Sequence, residues 1–265
     1  MNKTDKTWQY YGEIDPYFGV LTHDEFRKEN LGDEAKAAFF ESGEKYIENV
    51  LTAVRDHLDE HFVPSRALDF GCGVGRLTLP VARRCATVVG IDISTSMLAE
   101  AQRNADQAGI SNIDFVTSDD ALSQVRGTFD FIHSFIVFQH LSPDRGQAIV
   151  GNMVEKLRDG GVGVLHFTYA NSTTTPPPTF RRALTGGYAK LPLLYGLRNL
   201  AKGAAFGRPP MEMNLYNLNN LLRLLQESGC HDVHVRFTEA SHFGFPVYGA
   251  VLYFLKKRLD VTTHH

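Results

Sequence analysis

The segment RALDFGCGVGR at residues 66–76 determines how the rest of this chain is interpreted. Its apolar beginning, residues 67–70, predicts a buried strand of a parallel sheet that is interrupted only by Asp69. Glycine then stands at every second position, and a helical pattern of apolar residues runs from Leu77 to Cys85. Strand, glycine turn and helix in this order present backbone N–H groups and a helix N-terminus to a ligand. The segment therefore predicts a ligand site at the end of a strand.

The spacing of the glycines separates two classes of ligand. A dinucleotide fingerprint has the form G-x-G-x-x-G, whereas the third glycine here comes one residue early and Arg76 stands where that fingerprint has glycine. Asp69 inside the strand would repel a pyrophosphate but would attract an ammonium group. The spacing therefore favours a cationic ligand, with an oxidoreductase that binds NAD as the alternative.

Composition limits the class of protein. The chain has 265 residues with 27 basic and 30 acidic side chains, a net charge of −3, so its overall charge gives no sign of nucleic-acid binding. Three scattered cysteines are too few for a disulfide framework or a zinc site, and we expect no metal. The polar N-terminus and the lack of a long apolar run favour a cytoplasmic protein.

Alternating strand and helix patterns predict the fold class. Seven predicted strands cover residues 67–70, 87–91, 113–117, 129–134, 162–168, 233–237 and 247–255. This alternation indicates an α/β fold: a Rossmann-like, seven-stranded, mostly parallel sheet with helices on both faces and an antiparallel last strand. We divide the chain into an N-terminal helical cap (1–64), a ligand-binding core (65–169), an insertion after the fifth strand (170–212) and the C-terminal part of the sheet (213–258).

The sequence pattern D-x-G-x-G-x-G at residues 69–75 resembles motif I of the class I S-adenosylmethionine (SAM)-dependent methyltransferases. Further motifs over residues 66–167 follow the same order as in that family. The sequence is similar to bacterial methyltransferases of glycan and small-molecule pathways. The resemblance implies an enzyme that uses SAM, releases S-adenosylhomocysteine and lets the cofactor supply the reactive group. It implies that the methionine end of SAM lies against Asp69, Gly71, Cys72, Gly73 and Gly75.

Other candidate cofactor residues follow from strand ends, because ligands of such sheets bind there. Asp92 ends the second strand and is expected on the ribose. Asp119 and Asp120 end the third and are expected at the adenine. Ile93 and Met97 are expected on the faces of the adenine. Ser134 and Phe135, at the end of the fourth strand, are further candidates, and Tyr11 or Tyr17 is the ring of the cap expected against the cofactor.

Two histidines are candidates for a general base. His140 lies in the segment after the fourth strand, where a histidine faces the acceptor in several small-molecule members of the family. His166 lies near the end of the fifth strand. An imidazole titrates near neutral pH, which suits the removal of a hydroxyl proton during O-methylation. A structural, hydrogen-bonded histidine is the alternative for each.

The insertion at 170–212 is the predicted acceptor region. No acidic residue lies between Gly160 and Met211, whereas six basic residues do. This stretch favours a small-molecule or glycan acceptor, anionic or lipid-linked, and residues 190–206 could form a basic helix on a membrane surface. An RNA or protein methyltransferase and a non-catalytic SAM-binding protein stay open as alternatives, although no RNA-binding module is visible. The sequence leaves the acceptor atom and the oligomeric state open.

Overall fold

The computed structural model describes residues 2–117, 119–171, 208–242 and 245–257. Its helices are α1 (Lys3–Ile14), α2 (Pro16–Val20), α3 (Asp33–His57), α4 (Thr78–Ala82), α5 (Thr95–Gln107), α6 (Pro143–Lys156) and α7 (Leu218–Glu227). Its strands are β1 (Arg66–Phe70), β2 (Thr87–Asp92), β3 (Ile113–Thr117), β4 (Phe129–Ser134), β5 (Leu157–Asn171), β6 (Cys230–His242) and β7 (Phe245–Lys256).

The seven strands form one sheet in the order β3-β2-β1-β4-β5-β7-β6. Neighbours run parallel except at β7, which is antiparallel to both β5 and β6. The predicted α/β fold with an antiparallel last strand is therefore confirmed. The last three strands are longer than their apolar patterns predicted, because β7 pairs along almost the whole length of both neighbours.

Alternate residues of the central strands are buried in two separate cores. On one face Ala67 and Phe131 pack with apolar residues of α3 and α4. On the other face Leu68 and Ile132 pack with α6 and α7. Burial on both faces explains why these strands are almost uninterrupted apolar runs. It also makes the polar residue Asp69, on the α3 side, an exception that calls for a reason.

The aromatic N-terminal segment, part of the predicted cap, forms the two helices α1 and α2. Helix α1 begins in a capping box in which the side chains of Asn2 and Asp5 each accept the other residue's backbone N–H. Aromatic residues of both helices and of α3 form a third apolar cluster against Val74 and Met97. This cluster holds the cap over the glycine turn.

Most of the insertion, residues 172–207, lies outside the described residues, and so does the predicted basic helix at 190–206. The described end of the insertion, 208–212, leads into a segment that contacts the core: the backbone N–H of Asn214 donates to the carbonyl of Gln139 at 2.6 Å. The division into four parts stays a prediction. In the part of the chain that the structure describes, no helix has the length and apolarity needed to cross a membrane.

Candidate active site

A cavity of about 800 Å³ lies at the carboxyl ends of the central strands, as expected for a sheet of this type. Its walls come from the glycine turn, the ends of β2 and β3, the segment after β4, and helices α1 and α6. The predicted site residues in its lining are Gly71, Gly73, Asp92, Ile93, Met97, Asp119, Asp120, Phe135 and His140. The tertiary structure therefore brings most of the candidate residues together.

The glycine turn has a backbone that other residues rarely adopt. Gly71, Gly73 and Gly75 have φ angles of +72°, +53° and +88°, and glycine takes up such angles without steric cost. A Cβ on Gly71 would lie 2.4 Å from a methyl group of Val137. The N–H groups of Gly71 and Cys72 both donate to the carbonyl of Ile91, which fixes the turn to β2. Gly75 and the buried Cys72 shape the turn without lining the main cavity.

Asp92 is the carboxylate that the turn holds directly. It accepts the backbone N–H of Gly73 at 3.0 Å and that of Ser94 at 2.8 Å. Desolvation nevertheless raises the pKa of Asp92 to about 6, so the charged form is short of hydrogen-bond donors. Each carboxylate oxygen keeps a lone pair for another donor. A pair of ribose hydroxyl groups would supply such donors and stabilise the charge.

The two acids after β3 have different partners. Asp119 accepts the backbone N–H and the hydroxyl of Ser123, which lowers the pKa of its carboxyl. Asp120 receives the guanidinium of Arg145, with Nε and Nη2 at 2.7–2.9 Å from its oxygens. Arg145 also donates to Asp5 of α1 at 2.9 Å. Arg145 of α6 therefore joins Asp120, which follows β3, to Asp5 of α1 at the rim of the cavity.

Ile93 and Met97 form an apolar wall beside Asp92. Met97 is fully buried at the first turn of α5, which Ser94 caps through its hydroxyl. The carbonyl of Ile93 accepts the side-chain amide of Gln9 at 3.1 Å. An apolar wall next to a carboxylate fits a flat, aromatic ring joined to a sugar.

A smaller cavity of about 270 Å³ adjoins the first and shares Val20, Gly71, Phe135 and Ile136 with it. It is also lined by Asp69 and Arg76, so it holds one group of each charge. The Arg76 guanidinium is 4% exposed, donates through Nη1 to Ser42 Oγ at 3.3 Å, and has no protein partner at Nε. Burial lowers the pKa of Arg76 to about 10. A buried cation without a close carboxylate fits an anionic ligand group in this cavity.

Asp69 stands beside further unused polar groups. It accepts the hydroxyl of Thr78 at 2.7 Å and lies 3.4 Å from Nδ1 of His133. In the described ranges four buried polar atoms have no protein partner: Tyr46 Oη, Arg76 Nε, His133 Nε2 and His166 Nδ1. Native proteins leave few such atoms unless water or a ligand binds them. This polar region under the glycine turn therefore has free hydrogen-bonding capacity.

The segment after β4 is strained where it passes the cavity. Ile136 has φ of +56°, which is a genuine outlier for a β-branched residue. Such conformations cost free energy and concentrate at functional sites. Phe135 lines both cavities, whereas Ser134 is buried, donates to the carbonyl of Phe70 at 2.9 Å and lines neither. Ser134 therefore supports the segment from behind.

His140 is the histidine that reaches the main cavity. It is 7% exposed, and its Nδ1 lies 2.6 Å from the carbonyl oxygen of Glu212. Its Nε2 lies 3.1 Å from the side-chain nitrogen of Gln139, and its ring meets the Trp8 ring edge-on at 4.7 Å. Segments distant in sequence thus hold one imidazole at the cavity wall.

His166 lies in β5, on the same face of the sheet as Asp69 of β1. It lines neither of the two cavities described here. Its Nε2 is 3.3 Å from Thr238 Oγ1, and its ring contacts that of Phe135. Burial, with a contribution from His133, lowers the pKa of His166 to about 4. It is therefore neutral at physiological pH and a weak base. Its role as a base stays a prediction, and the geometry favours His140.

The cap reaches the cavity through a residue that the sequence interpretation missed. Trp8 lines it, together with Thr4, Asp5, Gly19 and Val20. The hydroxyl of Tyr11 donates to the carbonyl of Pro209, that of Tyr17 lies 2.7 Å from Glu100 Oε1 and 2.9 Å from Asn104 Oδ1, and neither residue lines the main cavity. Both rings pack in the apolar cluster under the cap, and the expectation that Tyr11 or Tyr17 contacts the cofactor stays a prediction.

Three further residues were not singled out as site residues: Arg76 and Arg145, which line the cavities, and Gln139, which contacts His140. The sequence could have indicated Arg76 as a site residue, because a basic residue directly after a glycine turn is well placed to bind an anion. No such indication exists for Arg145 and Gln139, since their roles depend on partners far away in the sequence. In the described ranges, no group of three or more His, Cys, Asp or Glu side chains could hold a metal ion.

A Rossmann-like sheet with such a cavity at its strand ends defines a domain that binds a nucleoside-containing cofactor. The comparison with protein families specifies it: residues 67–161 match the family model described as "Methyltransferase domain". Over the matched residues this agrees with the resemblance to the class I SAM-dependent methyltransferases found in the sequence.

Curated relatives match part of the chain. A ubiquinone biosynthesis O-methyltransferase from a Bradyrhizobium strain is 32% identical over 168 residues, which cover 62% of this chain and 60% of that protein. The 23S rRNA (uracil(1939)-C(5))-methyltransferase RlmD of Aeromonas hydrophila is 35% identical over 112 residues, 37% of this chain and 26% of that protein. The chain thus matches only about a quarter to three fifths of the length of these two relatives.

Solved structures share the fold over a longer range. Magnesium protoporphyrin IX methyltransferase from Synechocystis PCC 6803, crystallised with bound SAM, superposes with a TM-score of 0.59 and 18% identity, covering 97% of this chain and 99% of that one. The N-methyltransferase NodS from Bradyrhizobium japonicum, crystallised with S-adenosylhomocysteine, gives a TM-score of 0.55 and 15% identity, covering 95% and 99%. These likenesses show the fold of the chain and leave its acceptor open.

Proposed function

We propose that this protein is a methyltransferase that transfers the methyl group of SAM to a hydroxyl group of a small molecule, with His140 as the general base. The observation that carries the proposal is the single cavity that joins Asp92 and the glycine turn to His140. The family match over residues 67–161 supports the cofactor. The ubiquinone biosynthesis O-methyltransferase, and a magnesium-protoporphyrin O-methyltransferase of Synechocystis that is 36% identical over 87 residues, support the oxygen acceptor.

The residues of the two cavities fit SAM group by group. Asp92 would accept the ribose hydroxyls, and Ile93 and Met97 would cover the adenine, with Asp119 at its edge. The smaller cavity would take the amino-acid end, with its ammonium at Asp69 and its carboxylate at Arg76. The unsatisfied Nε of Arg76 supports this assignment, because a carboxylate would complete its hydrogen bonds.

When bound, SAM supplies an activated methyl group on a sulfonium that is itself the leaving group. The protein's part is to align the acceptor and remove its proton. Nε2 of His140 would take the hydroxyl proton. Trp8, Ile136, Val137 and Leu141 line the cavity with apolar surface, which excludes water that would compete with the acceptor.

The acceptor class is the finer part of the proposal. The apolar wall around His140 favours an acceptor with a flat or apolar face next to its hydroxyl. The basic, acid-free composition of the insertion supports an additional anionic group, as in a sugar phosphate, a carboxylated metabolite or a lipid-linked glycan. A membrane-surface contact through 190–206 and a cytoplasmic location also belong to this proposal.

A methyltransferase acting on RNA is the second candidate, because RlmD proteins are among the relatives. The match covers a small part of those proteins, and the net charge of −3 disfavours binding to a polyanion. The O-methyltransferase proposal therefore remains the stronger one.

Two experiments test the proposal. Calorimetry with SAM, S-adenosylhomocysteine and NAD should show micromolar or tighter binding of the first two; binding of NAD alone would refute the cofactor assignment. Cell extract should then be incubated with the protein and SAM carrying a labelled methyl group, before and after nuclease treatment. Label in nuclease-resistant small molecules supports the proposal, whereas label that nuclease releases supports the RNA alternative.

A further inference from the structure

The side chain of Gln139 joins the proposed base to the end of β5. Its amide nitrogen lies 3.1 Å from Nε2 of His140, and its amide oxygen accepts the hydroxyl of Thr168 at 3.1 Å. Thr168 and His140 are both buried, at 1% and 7% exposure. A side-chain amide held at both ends by buried partners has a defined orientation.

This orientation determines where the ring hydrogen of His140 lies. In this orientation the amide nitrogen of Gln139, which can only donate, faces Nε2 of His140, and the amide oxygen accepts from Thr168. The carbonyl of Glu212, 2.6 Å from Nδ1, can only accept, so Nδ1 carries the hydrogen. The Glu212 carbonyl thus assigns the neutral tautomer with N–H at Nδ1 and the lone pair at Nε2, and the orientation of the Gln139 amide agrees with it.

The geometry points to Gln139 as a positioning residue for the transfer: it holds His140 neutral, with its basic lone pair at Nε2, until the acceptor hydroxyl replaces the amide N–H there. This inference rests on the proposed function, which gives His140 its task. The hydroxyl proton then passes to Nε2, and its bonding electron pair stays on the acceptor oxygen. The amide must move aside in that step, because an N–H donor cannot face a protonated nitrogen.

Other groups near His140 are compatible with this assignment. The neighbouring ring of Trp8 is uncharged. The carboxylate of Glu212 accepts from Lys3 and Thr4 of α1. The charged side chains that line the same cavity are Asp5, Asp92, Asp119, Asp120 and Arg145, and Arg145 binds two of these acids. Among the described residues, Gln139 and Glu212 both contact the ring nitrogens of His140 directly.

Substitution of the Gln139 side chain is a practical test, because its backbone is held separately. The carbonyl of Gln139 accepts two N–H groups of Asn214, the backbone one at 2.6 Å and the side-chain one at 3.3 Å. Gln147 provides a matched control: it is a partly buried glutamine whose amide donates to the carbonyl of Pro143, away from His140.

The experiment is ¹⁵N NMR of the histidine rings in the full chain, with His140→Asn used to assign the signals. In the wild type at neutral pH, His140 should be neutral with its hydrogen on Nδ1. In Gln139→Glu the donor becomes an acceptor, so Nε2 should also be protonated. In Gln139→Leu the midpoint of the His140 titration should rise by about one pH unit. Gln147→Glu should leave the His140 signals unchanged.

The inference is overturned if wild-type His140 carries its hydrogen on Nε2, or if Gln139→Glu and Gln139→Leu titrate like the wild type. Should Gln139→Glu misfold, Thr168→Val replaces it. This variant removes the partner of the amide oxygen, so both orientations of the amide should occur and the ¹⁵N signals of His140 should change; signals like those of the wild type would overturn the inference. These spectra need neither SAM nor an acceptor. A chain that binds no SAM would therefore refute the proposed function and leave this inference to be decided separately.

Discussion

The two ends of the cavity are constructed in different ways. The end at the glycine turn uses residues that follow one another in sequence, 69–76 and 92–97, and much of its geometry comes from backbone N–H groups and positive φ angles. The end at His140 uses side chains from α1, from the segment after β4 and from β5, together with the backbone carbonyl of Glu212. A local motif thus forms one end, and long-range packing assembles the other.

The largest effect should come from the assembled end. We expect His140→Ala to lower methyl transfer by about 10²- to 10⁴-fold, because no other group lining the cavity combines a neutral lone pair with this position. Affinity for SAM should change less than about twofold. Transfer of labelled methyl to the acceptor found in extract, together with calorimetry, measures both quantities.

His166→Ala is the matched comparison. Burial holds the pKa of His166 near 4, and we expect its removal to affect folding stability more than the chemical step. If neither histidine variant lowered turnover tenfold while SAM still bound, the assignment of a histidine base would be wrong.

At the glycine turn we expect Asp92→Asn to weaken SAM binding by about 100-fold, since two charge-assisted hydrogen bonds to the ribose would be lost. Calorimetry gives the dissociation constant directly. Asp106→Asn, an exposed acid of α5 that binds Gln102, is the control. Equal affinities of the wild type and Asp92→Asn would show that the ribose does not lie at the end of β2.

Arg76→Met should separate binding from stability. We expect affinity for SAM to fall by about 30-fold, because the carboxylate of the cofactor loses its charged partner. The melting temperature of the free protein should stay equal or rise, because a buried cation without a close carboxylate is costly. The control is Arg83→Met, whose guanidinium lies at the surface on Glu44. A large loss of stability with unchanged affinity would instead assign Arg76 a purely structural role.

The smallest effect concerns pH. The pKa of Asp92 is raised to about 6, and ribose hydroxyls bind its charged form. Affinity should therefore be complete above pH 7 and decline as pH falls through 6, to about a tenth at pH 5. Calorimetry across this range tests the sign. Asp92→Asn should remove this dependence, and a wild-type affinity that is flat from pH 5 to 7 would contradict it.

Individual residues show how far sequence reasoning reached. Ile93, Met97 and the acids at the strand ends were predictable, because a parallel sheet places consecutive strand ends at one edge. Tyr11 and Tyr17 were predicted at the cofactor only from their aromatic character. The aromatic ring of the cap that lines the cavity is that of Trp8. Gln139 could not be found, because its importance arises from a hydrogen bond to Thr168, 29 residues away.

The sequence by itself determined the sheet, the glycine turn and the family of the domain, because strand periodicity and glycine φ angles are properties of neighbouring residues. Only the tertiary structure decided which histidine reaches the cavity, which ring of the cap covers it and how Arg76 comes to be buried without a carboxylate partner. Those outcomes depend on packing between segments up to about two hundred residues apart, such as Lys3 and Glu212, and local patterns carry no information about such contacts.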